Sequence, residues 1–192
     1  MRKILITLMS LVLLMLPGMA MSDNLVTNGG FESGDFSDWN TTLIGPNTDV
    51  YPSYAHSGSF SAQLGTASGG SANTLSQALA TVSGQSYTLT YYLATSVGRP
   101  FSASLDIVWN GIDEGTNTYT SSFGYKEETI SGLTATSSST NLAFVYYEPA
   151  FVDYLFLDDV SVTSSVPEPA TMLLLGSGLL GLAGFARRKF KK

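Results

Sequence analysis

The chain contains no cysteine and a single histidine, His56. Without cysteine there is no disulfide framework, and without a cysteine and histidine cluster there is no zinc site. The sequence also lacks a G-x-S-x-G nucleophile elbow and an EF-hand loop. The fold must therefore rest on packing, hydrogen bonds or a hard metal ion, and we expect no enzymatic activity. A glycoside hydrolase is a remote alternative, because no motif singles out a pair of acids.

Basic residues are nearly absent between residues 21 and 165. Arg99 and Lys126 stand there against fourteen acidic residues, which gives this part of the chain a net charge of −12. Such a surface repels phosphate backbones, so nucleic acid is excluded as a partner. It suits divalent cations or neutral polymers. The alternative is that the acidity merely keeps an exported protein soluble.

The first 20 residues have the three parts of a secretory signal peptide. Arg2 and Lys3 form a short positive region, and residues 4–16 are apolar. Gly18 and Ala20 then supply small side chains at the −3 and −1 positions. We predict cleavage after Ala20, and an uncleaved N-terminal anchor is the alternative.

The C-terminal tail, residues 166–192, also has three parts. A proline-rich triplet precedes an uncharged apolar run over residues 170–186, and a basic cluster follows: Pro167, Glu168, Pro169, then Arg187, Arg188 and three lysines around Phe190. The run has the minimum length for a transmembrane helix, and the basic cluster would hold its end in the cytoplasm. An ordinary C-terminal anchor is one interpretation of this pattern.

The order of these three parts resembles the PEP-CTERM sorting signal of exopolysaccharide-producing Gram-negative bacteria. The resemblance implies processing near the Pro-Glu-Pro triplet by a membrane-embedded exosortase. It also implies export across the inner membrane, transient anchoring through the C-terminal helix, and then a location at the cell surface or outside the cell.

Between the two targeting segments, apolar and polar side chains alternate with period two. The clearest stretches are residues 87–93, 103–109 and 142–146, with a shorter one at 60–64. Alternation with β-branched and aromatic residues, separated by glycine-containing turns, is typical of β-strands. We therefore predict one all-β domain over residues 23–165, an antiparallel β-sandwich of jelly-roll type. Trp39 and Trp109 are expected in its core.

Several short motifs in this region occur in an order that resembles galactose-binding-like jelly-roll domains, which include many carbohydrate-binding modules. The motifs are Asn24–Glu32, Gly34–Trp39, Ala55–Ala62, Leu75–Leu79, Gly84–Leu89 and Leu157–Val162. The resemblance implies two packed antiparallel sheets, with the first and last strands close together. Architecture alone does not fix function.

The same resemblance implies a structural calcium ion near the first and last strands. Its ligands would be Glu32 with Asp158 or Asp159. The closing strand favours the same place, because Asp158 shares a face with Phe156 and two valines, and a buried carboxylate needs a partner. The loop around Ser57 could add oxygen ligands. The alternative is that Glu32 and Asp158 accept N–H hydrogen bonds from turns without a metal.

Aromatic side chains outside the core alternation are candidate sugar platforms, because pyranose rings stack on flat aromatic faces. We predict tentative carbohydrate contacts at Tyr54, Tyr92, Tyr125 and Tyr147. Two functions remain open: a surface or matrix protein that binds exopolysaccharide through its jelly roll, and a purely structural surface or biofilm protein without a ligand site. The sequence does not separate them.

Overall fold

The strands predicted from alternation form two antiparallel sheets in a computed structural model of the chain, which describes residues 23–42, 48–65, 72–96, 102–147 and 154–165. Ten strands occur in these residues: β1 (Asn40–Thr41), β2 (Asp49–Pro52), β3 (Phe60–Leu64), β4 (Asn73–Ala80), β5 (Ser86–Thr95), β6 (Ala103–Trp109), β7 (Ile112–Tyr119), β8 (Phe123–Thr134), β9 (Ser139–Tyr147) and β10 (Leu155–Ser164).

Each sheet has five strands. Sheet A has the order β1-β4-β9-β6-β7, and sheet B has the order β2-β3-β10-β5-β8. All the pairings between neighbouring strands are antiparallel. Most strands that follow one another in the sequence lie in different sheets, so the chain crosses repeatedly from one sheet to the other. Such crossings are typical of a jelly-roll sandwich. The predicted all-β sandwich is confirmed.

The core lies between the two sheets and follows the predicted alternation. Tyr91 of sheet B meets Phe144 of sheet A edge to face, with ring centroids 5.4 Å apart. Tyr87 and Trp109 make a second contact between the sheets at 5.9 Å. Trp39 is also buried in this hydrophobic core. The prediction that both tryptophans are core residues is confirmed.

The N-terminal stretch of residues 23–31 lies along the last strand, as the resemblance implied. Leu25 donates its backbone N–H to Val162, and Val160 donates to the carbonyl of Gly29. A side chain at Gly29 would place its Cβ 2.1 Å from the Val160 carbonyl oxygen, so the close approach of the two backbones requires glycine.

One local prediction about β10 is wrong. A β-bulge between Asp158 and Ser161 adds one residue to the strand, and Asp159 takes a left-handed φ of 47°. The alternation therefore reverses at this point. Val160 and Val162 lie in the core, whereas Phe156 and Asp158 lie on the outer face of sheet B.

Residues 23–165 form one compact unit. In the described ranges no helix has the length and apolarity needed to span a membrane. The predicted signal peptide with its cleavage site at Ala20 lies outside the described residues. So do the predicted helix over 170–186 and the sorting residues Pro167, Glu168, Pro169, Arg187 and Arg188.

Candidate functional site

Asp158 is fully buried although it faces away from the core. A surface loop, residues 53–60, covers it. Its Oδ2 accepts backbone N–H bonds from His56 at 2.7 Å and from Ser57 at 3.2 Å. Its Oδ1 accepts the N–H of Asp159. Burial raises the pKa of the Asp158 carboxyl, the N–H bonds oppose that rise, and the nearby charge of Asp159 adds to it.

Asp159 binds the same loop through side chains. Its Oδ1 accepts a hydrogen bond from the Ser57 hydroxyl at 2.8 Å. Its Oδ2 lies 2.7 Å from Nδ1 of His56, and both side chains are about one-third exposed. The left-handed backbone at the bulge turns Asp159 toward the loop, so two successive acids hold one segment.

Glu32 holds the far end of the loop. Its Oε1 accepts the N–H groups of Ser59 and Phe60, each at 2.9 Å. Gly58 makes this approach possible, because its φ is 66° and a Cβ there would lie 2.3 Å from the Glu32 oxygen. We call Glu32, Asp158 and Asp159 the acidic corner and residues 53–60 the corner loop.

The acidic corner fits a calcium ion in part. A Cβ on Gly30 would lie 3.5 Å from Oδ1 of Asp159 and 3.8 Å from Oδ1 of Asp158, so these two predicted ligand oxygens face one point. The neighbouring atom of Glu32 is the methylene carbon Cγ at 3.8 Å, and its Oε1 instead faces Ser59 and Phe60. Carboxylate oxygens are the ligands that Ca²⁺ prefers. However, these carboxylates already accept N–H and O–H groups of the corner loop, and in the described ranges no three acidic or histidine side chains are grouped as a metal site.

An aromatic cluster adjoins the acidic corner on the outer face of sheet B. His56 stacks on Tyr92 and meets Tyr125 edge-on, with ring centroids 3.5 and 5.6 Å apart. Tyr54 packs against Tyr125 at 5.5 Å and against Phe156 at 4.6 Å. The structure thus brings together three of the four predicted sugar contacts.

A groove with a volume of about 730 Å³ opens beside this cluster. Its aromatic walls are Tyr51, Tyr54, Phe123, Tyr154 and Phe156. Polar side chains complete it: Ser53, Gln63, Thr95, Ser96 and Ser122. None of the described residues that line it carries a charge. We call it the aromatic groove. Tyr92 and Tyr125 belong to the aromatic cluster but are not part of the lining of the groove.

Phe156 was not predicted as a groove residue. Regular alternation up to Val162 placed it on one face of the closing strand with Asp158 and the two valines, and the bulge separates them. The positive φ at Asp159 has no unambiguous sequence signal, although aspartate tolerates that conformation better than most residues. Tyr154 was missed as well, since it precedes the strand.

Tyr147 is the predicted sugar contact that lies elsewhere. It belongs to β9 of sheet A and is 38% exposed. Nearby on the same outer face, Asp106 pairs across the strands with Val145 and Thr116. Oδ1 of Asp106 is buried without a hydrogen-bond partner among the described residues.

The chain carries a PEP-CTERM protein-sorting motif, which matches residues 165–189. The predicted resemblance of the C-terminal tail to this sorting signal is therefore confirmed, and the motif marks the chain as a protein directed to a sorting pathway. No curated protein sequence is significantly similar to the chain.

Solved structures share the fold of the sandwich. TmCBM61, solved in complex with β-1,4-galactotriose, is 20% identical with a TM-score of 0.60, over 75% of this chain and 100% of that one. The K3 cleaved adhesin domain of Lys-gingipain from Porphyromonas gingivalis is 15% identical with a TM-score of 0.59, over 74% and 99%. The CBM22-1 xylan-binding domain of Paenibacillus barcinonensis Xyn10C is 17% identical with a TM-score of 0.53, over 74% and 95%. The jelly-roll resemblance is confirmed at the level of fold.

Proposed function

We propose that the protein is a non-catalytic surface or extracellular-matrix protein that binds an uncharged stretch of polysaccharide in the aromatic groove. One observation carries this proposal: a groove of about 730 Å³ that combines aromatic walls with hydroxyl and amide side chains. Ligand sites generally combine an apolar lining with a few polar groups that fix the orientation of the ligand. A pyranose needs both, because its faces are apolar and its edge carries hydroxyls.

Tyrosine is the main wall residue, and it suits this task. Tyr51 and Tyr54 are 43% and 40% exposed, so their rings are accessible to a ligand. Each presents an apolar face together with a hydroxyl that donates or accepts hydrogen bonds. Phe156 packs against both rings, with its ring centroid 6.1 Å from that of Tyr51 and 4.6 Å from that of Tyr54.

The charge distribution supports a neutral ligand. The described lining has no charged side chain, although residues 21–165 carry fourteen acids. An acidic polysaccharide would meet the negative field of the domain and would find no cation on the described groove wall. Lys126 holds its ammonium 4.4 Å from the centre of the Phe123 ring, at the border of the groove. Two acids, Glu127 and Glu128, follow Lys126 directly in the sequence.

The lining also supports binding rather than hydrolysis. Glycoside hydrolysis uses two carboxyl groups on either side of the scissile bond. No carboxylate occurs among the described groove residues. The carboxylates of the acidic corner instead accept hydrogen bonds from the corner loop.

The sorting motif supports a location outside the cytoplasm. We propose export across the inner membrane of a Gram-negative bacterium, transient membrane anchoring, and processing by an exosortase-type enzyme near Pro167, Glu168 and Pro169. The domain would then lie where exopolysaccharide is secreted. A purely structural surface or biofilm protein without a ligand site is the alternative.

We also propose that the acidic corner binds Ca²⁺ as a structural ion. The carboxylate oxygens of Asp158 and Asp159 that face Gly30 support it, with the Glu32 side chain beside them, and Ser57 would add a hydroxyl oxygen. When bound, the ion would neutralise the buried charge of Asp158 and tie the N-terminal stretch to β10.

The proposed function is tested by binding of the purified protein to neutral and acidic glycans. The probes are β-1,4-galactotriose, xylohexaose, an oligogalacturonate and the exopolysaccharide of the producing strain. Saturable binding of a neutral glycan that survives raised salt supports the proposal. Binding of the acidic oligogalacturonate alone would contradict the proposed neutral ligand. Binding of none of the probes would contradict the proposal and favour the structural alternative.

A further inference from the structure

The corner loop contacts sheet B through the rings of Tyr54 and His56. Its residues 53–59 form no strand, and all of them except Ala55 are exposed. Ser53 enters the loop with a φ of 90°, a conformation that a non-glycine residue rarely adopts. An exposed segment with few buried contacts is mobile unless hydrogen bonds hold it.

Most of the hydrogen bonds that hold this loop come from the acidic corner. Four consecutive or near-consecutive backbone N–H groups are bound by carboxylates, at His56, Ser57, Ser59 and Phe60. The side chains of His56 and Ser57 bind a third carboxylate, that of Asp159. Hydrogen bonds to charged acceptors are stronger than those between neutral groups.

The same loop carries Tyr54 into the wall of the aromatic groove. The carbonyl of Tyr54 accepts hydrogen bonds from the Tyr125 hydroxyl at 2.8 Å and from the Ser61 hydroxyl at 2.7 Å. Burial raises the pKa of Tyr125, so its hydroxyl keeps the proton that it donates. His56, two residues further on, stacks on Tyr92. The Tyr54 ring thus lies two positions before His56, the first residue whose backbone N–H the acidic corner binds.

We infer that the acidic corner is the positioning element of the aromatic groove, because its carboxylates fix the corner loop that presents Tyr54 to the ligand. Asp158, Asp159 and Glu32 do not line the groove themselves, and they act through the loop. This inference rests on the proposed function for its ligand. The position of Tyr54 can be measured without one.

The test compares variants that release the loop with one that does not. Asp159→Gly removes both side-chain bonds, and glycine tolerates the φ of 47° at that position. Ser57→Ala removes one of the two bonds. Asp159→Asn also tolerates that φ and keeps an acceptor for the Ser57 hydroxyl. Asp113→Ala is the control, since it removes an acid of sheet A that binds only its own strand at Gly115 and Thr116.

The first readout is the ¹³C tyrosine NMR spectrum of the ligand-free protein, with the Tyr54 signal assigned from Tyr54→Phe. We expect the Tyr54 signal to shift or broaden in Asp159→Gly and, to a smaller extent, in Ser57→Ala. We expect partial recovery in Asp159→Asn and no change in Asp113→Ala. An unchanged Tyr54 signal in the folded Asp159→Gly variant would overturn the inference.

The second readout is affinity for β-1,4-galactotriose and xylohexaose. We expect Asp159→Gly to raise the dissociation constant by about tenfold, the scale of one lost interface anchor, with Asp113→Ala unchanged. If neither glycan binds the unmodified protein, the proposed function fails, and the NMR readout still decides the inference. If a glycan binds and the affinities of Asp159→Gly and Asp113→Ala are equal, the inference is wrong.

Discussion

The ring of His56 lies flat on the ring of Tyr92, with centroids 3.5 Å apart and 11° between the two planes. His56 is the single histidine of the chain, and it also contacts Asp159 through Nδ1. One side chain therefore joins the acidic corner to the aromatic cluster. The sequence predicted a loop around Ser57, but no pattern in it indicated the stacking partner of His56.

Loss of this stacking contact should lower stability modestly. Aromatic pairs contribute about 0.5–1.5 kcal/mol beyond the area they bury. We expect His56→Ala to reduce the free energy of unfolding by about 1–2 kcal/mol in urea titrations, because the contact with Asp159 is lost as well. His56→Phe keeps the ring and should recover part of the loss. Equal losses in the two variants would argue against a contribution from stacking.

Gly58 should be intolerant of a side chain. Its φ is 66°, and a Cβ would lie 2.3 Å from Oε1 of Glu32. We expect Gly58→Ala to cost about 2–4 kcal/mol, the sum of backbone strain and loss of the Glu32 bonds. Gly111→Ala is a matched control, because its φ is 81° and nothing lies within 4 Å of the added Cβ. Thermal unfolding of both proteins is the measurement, and similar melting temperatures would show that the contact with Glu32 is unimportant.

Asp106 should be a source of instability unless it serves a ligand. Its Oδ1 is buried without a partner in the described part of the chain, and such an atom costs about 1–3 kcal/mol. We expect Asp106→Val to raise the free energy of unfolding by about 1 kcal/mol, since valine suits a strand. Asp113→Val should instead destabilise, because Asp113 accepts bonds from Gly115 and Thr116. A destabilised Asp106→Val protein would contradict the prediction.

The buried carboxyl of Asp158 predicts a pH dependence in the presence of a chelator. Burial raises its folded-state pKa above the ordinary value of 3.8, so the folded protein holds this proton more tightly than the unfolded chain. Its contribution is complete below the unfolded value and is lost as the pH rises through the folded value. Relative to Asp158→Asn, the unmodified protein should therefore lose stability as the pH rises above 3.8. Parallel stability curves for the two proteins would contradict this.

Calcium binding at the acidic corner predicts a fall in melting temperature on chelation. A ligand at 100 times its dissociation constant stabilises the folded state by about 2.7 kcal/mol. We expect the fall in the unmodified protein and none in Asp158→Ala, which lacks a predicted ligand. If the melting temperature is unchanged and elemental analysis finds no calcium, the corner is held by hydrogen bonds alone.

The sandwich was predictable because the side-chain alternation that indicates each strand lies within a short continuous stretch of sequence. Leu89, Tyr91 and Leu93 alternate with polar neighbours, and each lies in the core. The same period placed Tyr92 and Tyr147 on outer faces. Where one face of a strand is buried, its side-chain pattern specifies which residues point inward.

The candidate site was only partly predictable because it is assembled from distant segments. Tyr51, Phe123 and Phe156 come from β2, β8 and β10, and no motif links them. The bulge at Asp159 moved Phe156 to the outer face, which alternation alone could not indicate. Glu32 and Asp158 were identified from the resemblance, but their bonds to the corner loop required coordinates.

The most direct test of the central claim compares Tyr54→Ala with Tyr147→Ala in titrations with the neutral glycans named above. The two tyrosines have similar exposure, 40% and 38%. Tyr54 lies in the corner loop and packs against Phe156 of sheet B, whereas Tyr147 belongs to β9 of sheet A. We predict that Tyr54→Ala weakens binding of a neutral glycan by about tenfold or more, whereas Tyr147→Ala leaves it within about twofold. Loss of binding in Tyr147→Ala with full binding in Tyr54→Ala would place the site on sheet A and contradict the account.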